Sequence, residues 1–289
     1  MYSGGKMKII LRLGILFLCV MLSPVTASAG YKLSMLPRYS TEEIHKRIVP
    51  IADYLSKQTG LEIEPIVIST FDQYQQQLLS GAIQIGYENP YIYVLASEAH
   101  DVIALAEKER SGTRFRGIII TRADSRIKTL EDLRGKTISI VGYTSAGGYL
   151  SQKLTLAEQG INVKTDCRLV EAADNKQENV ILAVYTGDVD GGFIRGSALH
   201  RADNFVPQSA IKVLKETAWL PNWALSVSRT MPAADRKKIA DAVFALNKES
   251  PAAQALKINR FIPATDQQYN SIRKAAGIAL PIVNDSPTE

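Results

Sequence analysis

Chemistry in this chain concentrates in a stretch without a charged side chain, from Thr137 to Leu150, which holds the hydroxyls of Thr144 and Ser145 and the glycines Gly142, Gly147 and Gly148. Its β-branched start reads as a short strand, its small and hydroxylated middle as a loop, and its end as the first turn of a helix. Such a junction aims unpaired backbone N–H groups and hydroxyls into the space beyond the strand end, and glycine lets a ligand approach the backbone closely. The chemistry on offer is anion binding, since a helix start carries partial positive charge that suits phosphate, phosphonate, sulfate or carboxylate. The plainer alternative is an ordinary strand-to-helix connection in which Ser145 only caps the helix.

Catalytic readings find less support. Gly142-Tyr143-Thr144-Ser145-Ala146-Gly147 is one residue too long for a Gly-x-Ser-x-Gly nucleophile elbow. His45 and His200 on helices and His100 at a helix end read as surface histidines, none obviously within reach of Ser145. Glu88 is the one loop carboxylate near the expected cleft, and one carboxylate cannot serve as both acid and base. Asp188-Val189-Asp190-Gly191 lacks the third ligand of a calcium loop and reads as a turn. Gly135-Lys136-Thr137 imitates the end of a phosphate-binding P-loop, but Leu130 stands where that loop needs glycine. No catalytic residue, no metal site and no cofactor is therefore expected.

Composition narrows the setting. The chain of 289 residues, 46% of them hydrophobic, can bury one large or two medium cores. Lys6, Lys8 and Arg12, the apolar run from Leu13 to Leu22 and the small residues Ala27-Ser28-Ala29 form the three parts of a secretory leader over 1–29, so the mature protein should begin near Gly30. Losing those three cations takes the formal charge from +5 to +2. No basic run with interleaved aromatics remains, which argues against a nucleic-acid partner. Of the two cysteines only Cys167 lies beyond the leader, which excludes an intramolecular disulfide. An exported protein without disulfides suits a bacterial periplasm.

Past the leader, strands and helices alternate. Strands are expected at 31–36, 63–68, 83–87, 102–106, 117–121, 137–141, 168–170, 189–194, 211–214 and 224–228. Ser40-Thr41-Glu42-Glu43 opens a helix that ends at Gly60 and that Pro50 should kink or restart. Further helices span 70–80, begin at Pro90, run over 178–185 and follow Pro232, and the tail from Ser250 to Gly277 reads as helical. The alternation predicts parallel sheets with helices on both faces and ligands beyond the carboxyl ends of strands. The loops carrying Tyr39, Tyr87, Thr144 and Arg195 all follow strands, so they can meet in one cleft.

The ordered set Arg47 to Leu55, Ala82 to Pro90, Leu130 to Lys136, Thr144 to Gly147 and Ala183 to Asp190 resembles the phosphate, phosphite and phosphonate-binding proteins of ABC transporters, the PhnD-like type II periplasmic binding proteins. The resemblance covers nearly the whole mature chain. It implies two α/β lobes joined by two crossings with the ligand between them, lobe one at 30–117 plus 224–289 and lobe two at 118–223. It assigns the oxyanion grip to Thr144, Ser145, Ala146 and Gly147, with Tyr39 and Tyr87 covering the opposite side. The implied partners are a small oxyanion and a membrane permease, or a membrane signalling protein if the chain is a sensor, and the implied state is a monomer. An enzyme on the same fold is the remote alternative.

Two departures from that family are visible. Relatives commonly carry a histidine where this chain reads Ala172-Ala173-Asp174-Asn175-Lys176, and an acid where it has Arg195. Arginine offers a bidentate cation to an oxyanion, which argues against an aminoalkylphosphonate and for a more anionic ligand. An exposed arginine on a solvated loop is the plainer alternative.

Overall fold

The computed structural model describes residues 30–108 and 112–281; the leader expected over 1–29 lies outside them. The chain opens with β1 (Tyr31–Met35), α1 (Thr41–Thr59), β2 (Ile63–Pro65), α2 (Phe71–Leu79), β3 (Ile85–Glu88), α3 (Pro90–Ala96) and β4 (His100–Glu107). It continues through β5 (Arg114–Arg122), β6 (Thr137–Ile140), α4 (Ser151–Ala157), α5 (Val163–Asp166), β7 (Arg168–Glu171), α6 (Gln177–Thr186), β8 (Gly191–Arg195) and β9 (Ile211–Pro221). It ends with β10 (Ala224–Ser228), α7 (Ala233–Phe244), α8 (Pro251–Leu256), β11 (Arg260–Pro263) and α9 (Asn270–Ala276).

These elements build two lobes, each around one sheet. The first has strand order β11-β4-β10-β3-β1-β2, the second β7-β6-β8-β5-β9. Both are mixed where the alternation predicted parallel sheets. β1 lies parallel to β2 and β3, and β6 parallel to β7 and β8, but β10 enters antiparallel between β3 and β4, and β5 runs antiparallel to β8 and β9. The reason is the double crossing: a chain that leaves one lobe and returns must insert its returning strand against the direction of its outgoing neighbour.

The crossings themselves are paired. Ala224 stands opposite Leu105 in β10 and β4, and Arg114 opposite Pro221 in β5 and β9. Between them Asn222 N donates to the Thr113 carbonyl at 2.8 Å, and Lys108 and Gly112 exchange backbone bonds. Residues 114–117 thus already belong to the second sheet, and the first crossing falls before them, whereas the lobe division expected between 117 and 118 falls inside β5.

Local chemistry explains most element ends. Ser40 accepts from Glu43 N at the start of α1, and Gly60 closes it at φ +70°. That helix continues through Pro50 without restarting, its buried stripe being Ile44, Ile48, Ile51 and Leu55. Asn89 caps α3, with Pro90 as its first residue. The tail is not continuously helical. Lys257 takes the left-handed conformation at φ 55° and stops α8, after which Phe261 and Ile262 extend the first sheet along β4.

Two polar residues lie deeper than the sequence implied. Glu88 is the last residue of β3, not a loop residue, and is fully buried; His100 is the first residue of β4 and equally buried, not a surface histidine. Tyr74 donates to Glu88 Oε2 at 2.8 Å, and the Ser226 hydroxyl lies between Glu88 and His100 Nδ1, 3.0 Å from the latter. Since His100 Nε2 faces the Ile83 carbonyl at 3.1 Å, that nitrogen carries the proton and Nδ1 accepts from Ser226. Ser226 then turns its lone pairs toward Glu88, which suits a protonated carboxyl. Burial pushes Glu88 up to about 7 and His100 down to about 4, so both groups favour neutrality.

Their linkage terms oppose. His100 supports stability above pH 6.5 and withdraws it as pH falls toward 4; Glu88 supports stability below 4.5 and withdraws it as pH rises through 7. Chemical denaturation across this range should therefore show little slope in the wild type. In Glu88→Gln the His100 loss is exposed, up to about 3 kcal/mol between pH 6.5 and 4. A flat profile in that variant would show that His100 does not stay neutral.

Candidate functional site

Between the lobes lies a narrow cavity lined by Leu36, Arg38, Asn89, Ser145, Gly147 and Arg195, among others. It sits at the carboxyl ends of β1, β3, β6 and β8. Its volume is about 20 Å³, room for roughly one water molecule, so an oxyanion enters only as the lobes part. A wider hollow of about 480 Å³, lined by Arg122, Arg126, Asp132, Lys136 and Asp190, lies at the other end of the second sheet. It opens at the amino ends of β6 and β8, away from the convergence of strand-end loops.

The hydroxyl loop is held from below. After β6 the chain turns through Gly142 and enters a widened helical turn, Ala146–Leu150, that leads into α4. Ser145 Oγ accepts from Gly148 N at 3.1 Å, so the hydroxyl caps the turn and also lines the cavity. Gln152, fully buried, places Nε2 at 3.0 Å from each of the carbonyls of Ile118, Gly147 and Ile194, its two N–H groups shared among the three. One amide thus ties the loop to β5 and β8. Gly117 makes this possible, because a Cβ there would overlap Gln152 Nε2 and Ser151 Oγ and stand 2.7 Å from the Gly147 carbonyl.

Arg195, the last residue of β8, is 5% exposed and points into the cavity rather than to solvent. Gln177 Oε1 accepts from its backbone N at 2.8 Å, its guanidinium lies 4.0 Å from the Phe115 ring centroid, and one of its terminal nitrogens reaches Asn222 Oδ1 at 3.4 Å. Its Nε has no partner. Burial and then the charge of Arg38 bring it down to about 9 from 12.5. Arg38, 9% exposed, follows β1 and sits over the rings of Tyr39 and Trp223 at 4.9 and 5.3 Å, and its Nε also lacks a partner.

Of the residues singled out in the sequence, Ser145, Ala146, Gly147 and Arg195 line the cavity together. Thr144 stands at its rim, where its carbonyl accepts from Asn89 Nδ2 at 3.2 Å. Tyr39 lines an adjoining outer hollow with Arg38, Glu43, Lys176 and Glu178. Tyr87 does not line the cavity. Its ring packs in the first lobe against Trp223 and Phe261, with centroids 5.1 and 5.8 Å away, and its phenol stays within electrostatic reach of Arg195 and Arg38.

The sequence reading missed Arg38, Arg47, Lys108 and Arg201. Arg38 was within reach of the same rule that selected Tyr39, being three residues past the end of β1. The others have no such signal: Arg47 is on a helix, Lys108 at the crossing, and Arg201 follows β8 by six residues. Arg47 and Arg201 lie 4.2 and 4.7 Å from the Tyr39 ring centroid. Burial alone would raise the Tyr39 phenol; Arg38, Arg201, Arg47 and Lys108 overcome it and bring the group from 10.0 down to about 7. Burial and then Arg195 lower the Lys108 ammonium to about 7.

Sequence and fold comparisons agree with this architecture. The family described as "ABC transporter, phosphonate, periplasmic substrate-binding protein" matches residues 33–269. The phosphate-import protein PhnD of Mycolicibacterium smegmatis is 24% identical over 171 residues, 56% of this chain and 53% of that protein. The tetrathionate sensor histidine kinase TtrS of Salmonella typhimurium is 29% identical over 126 residues, 42% of this chain and 21% of the kinase. The chain therefore aligns with about half the length of the first of these curated relatives and a fifth of the second. Among solved structures, PhnD1 of Prochlorococcus marinus in complex with methylphosphonate superposes with TM-score 0.73 at 16% identity, covering 86% of this chain and 97% of that one.

Two outcomes test the site. Gly117→Ala should cost about 1–3 kcal/mol in denaturant-induced unfolding, because Gln152 must leave its three carbonyls; an unchanged midpoint would show the contact is not tight. A pH titration of phenolate absorbance should show one tyrosine ionising near 7, lost in Tyr39→Phe and moved upward in Arg38→Gln. A wild-type profile in which every tyrosine titrates in the ordinary range would contradict the arginine cage.

Proposed function

The chain belongs to the periplasmic substrate-binding proteins of phosphonate ABC transporters, and from that premise we propose that it captures a small, strongly anionic phosphorus oxyanion between its lobes and delivers it to a membrane permease. The observation that carries the reading is the pair of buried guanidiniums, Arg38 and Arg195, on one cavity. Among the described residues neither has a carboxylate within ion-pair distance. An unpaired buried charge is costly, and an oxyanion supplies what both lack.

The ligand's oxygens would be shared among Arg38, Arg195, the Ser145 hydroxyl and the backbone N–H groups of Ala146 and Gly147, with Thr144 and Asn89 closing the rim. Tyr39 would act from the outer side through its ring, as a platform for Arg38, Arg47 and Arg201. No carboxylate lines the cavity to receive an amine, which favours phosphate, phosphite or a simple alkylphosphonate over an aminoalkylphosphonate. Export through a leader over 1–29 and action as a monomer complete the proposal. No reaction is assigned, because among the described residues no histidine hydrogen-bonds Ser145 and the buried His100 serves Ser226 inside the first lobe.

A second reading keeps the cleft and changes its output. The match to a tetrathionate sensor kinase favours a sensor that presents its closed form to a membrane-bound signalling protein. The shared requirement is capture of an oxyanion, so ligand identity is the first thing to measure.

A thermal-shift screen against phosphate, phosphite, methylphosphonate, aminoethylphosphonate, sulfate and small carboxylates tests it. A ligand at a thousand times its dissociation constant should add about 4 kcal/mol, a rise of roughly 8–16 °C for a chain of this size. A large shift with a phosphorus oxyanion that falls about 10- to 100-fold in affinity in Arg195→Gln supports the reading. A response confined to sulfur oxyanions or carboxylates would overturn the phosphorus assignment.

A further inference from the structure

Arg38 and Arg195 reach the cavity from opposite sides, Arg38 from the loop after β1 in the first lobe and Arg195 from the end of β8 in the second. Their neighbours add to the same sign. Arg47 comes from the first lobe, Lys108 from the crossing, and Lys176 and Arg201 from the second lobe. Three carboxylates accompany them among the described residues: Glu43 is engaged by Arg47 at 2.5 Å, Glu178 by Arg201 at 3.1 Å, and Asp174 acts on Lys176 from the second lobe. Tyr39 is the remaining group that can carry opposite charge; it faces Arg38 as well as the outer Arg47 and Arg201, and so screens part of the repulsion from outside the cavity.

Ion pairs do not hold the lobes together. Every salt bridge among the described residues lies within one lobe, the widest in sequence being Arg260–Glu107 in the first and Arg116–Glu216 in the second. The side-chain hydrogen bonds that cross the cleft end on neutral carbonyls: Asn89 to Thr144, Lys176 to Tyr39 at 2.6 Å and Pro37 at 3.4 Å, and Lys153 to Ala275 at 3.1 Å. Apolar contact, where Ala146 and Leu150 join the core of the first lobe, favours closure; the facing arginines oppose it. A desolvated pair of like charges repels far more than the same pair in water, and closing the cleft is what desolvates them.

We propose that Arg38 sets the charge of the ligand: with Arg195 it forms a repulsive pair that keeps the lobes apart until a doubly charged oxyanion bridges both guanidiniums, so a monoanion of equal size does not license closure. This deepens the proposed function and rests on it. A ligand shifts a conformational equilibrium only by its differential affinity for the two states, and here the difference is the second charge.

Small-angle scattering and calorimetric titration test it, with methylphosphonate under conditions of double ionisation compared with its monomethyl ester, which carries one charge at similar size. The wild type should bind methylphosphonate at least about tenfold more tightly than the ester and become more compact with it alone. Arg38→Gln should be more compact than the wild type before any ligand is added, at low ionic strength, and should lose most of the preference. Arg38→Lys should keep the open empty state, which separates charge from folding, and Arg195→Gln should reproduce Arg38→Gln. Equal scattering of ligand-free wild type and Arg38→Gln, or an undiminished preference in that variant, would overturn the proposal. If the wild type binds neither compound, the proposed function falls, while the ligand-free comparison still decides whether the arginines repel the lobes.

Discussion

Burying a guanidinium without a counter-ion is among the more expensive things a fold can do, and this fold does it twice around one cavity. Arg195 is kept in place by Gln177, Asn222 and the face of Phe115; Arg38 rests on the rings of Tyr39 and Trp223. The Asn222 oxygen and the aromatic faces are weak substitutes for a carboxylate, while Gln177, at the start of α6, holds only the Arg195 backbone N–H. The arrangement of the two sheets can be understood from that requirement. Strand ends converge so that cations from both lobes meet, and the crossings lie close enough for Asn222 and Lys108 to take part.

The two sides of the cleft are held very differently. Within the second lobe, the two N–H groups of the Gln152 amide, shared among three carbonyls, fix the hydroxyl loop to β5 and β8, and the space beside Gly117 has no room for a Cβ. Across the cleft the polar contacts are few and end on carbonyls that water would satisfy equally well. A rigid receptor surface facing a loosely attached partner lobe is what hinge closure needs. The Glu88–Ser226–His100 cluster serves the rigid side too. It holds three polar groups in neutral form inside the first sheet, where a charge would otherwise draw in water.

Much of this was legible in the residues. Strand-to-helix alternation, capping by Ser40, Pro90 at the start of α3 and the glycine after α1 located most elements of both lobes, and the hydroxyl loop and Arg195 were singled out because each follows a strand. What escaped was whatever depends on partners distant in sequence. Mixed sheet direction follows from the return of β10, which no local pattern announces. β11 hides in a tail of helix-forming composition because its pairing with β4 outweighs its propensity. Tyr87, one residue short of the end of β3, packs against Trp223, and it is Trp223, a crossing residue, that lines the cavity. His100 reads as exposed because only the fold brings Ser226 and the Ile83 carbonyl to its two nitrogens.

The double crossing also sets a timetable. The second sheet draws its strands from one continuous run, β5 to β9, and has all of them once residue 221 has emerged. The first sheet at that moment still lacks β10, the strand that joins β3 to β4 at its centre, and so remains in two unjoined parts. The lobe whose sequence begins first is therefore the last to be completed, whether the chain emerges from a ribosome or is threaded through a translocation pore. Until the final quarter arrives, the apolar faces of β3 and β4 have no common partner, and that interval is when this chain most needs protection from aggregation.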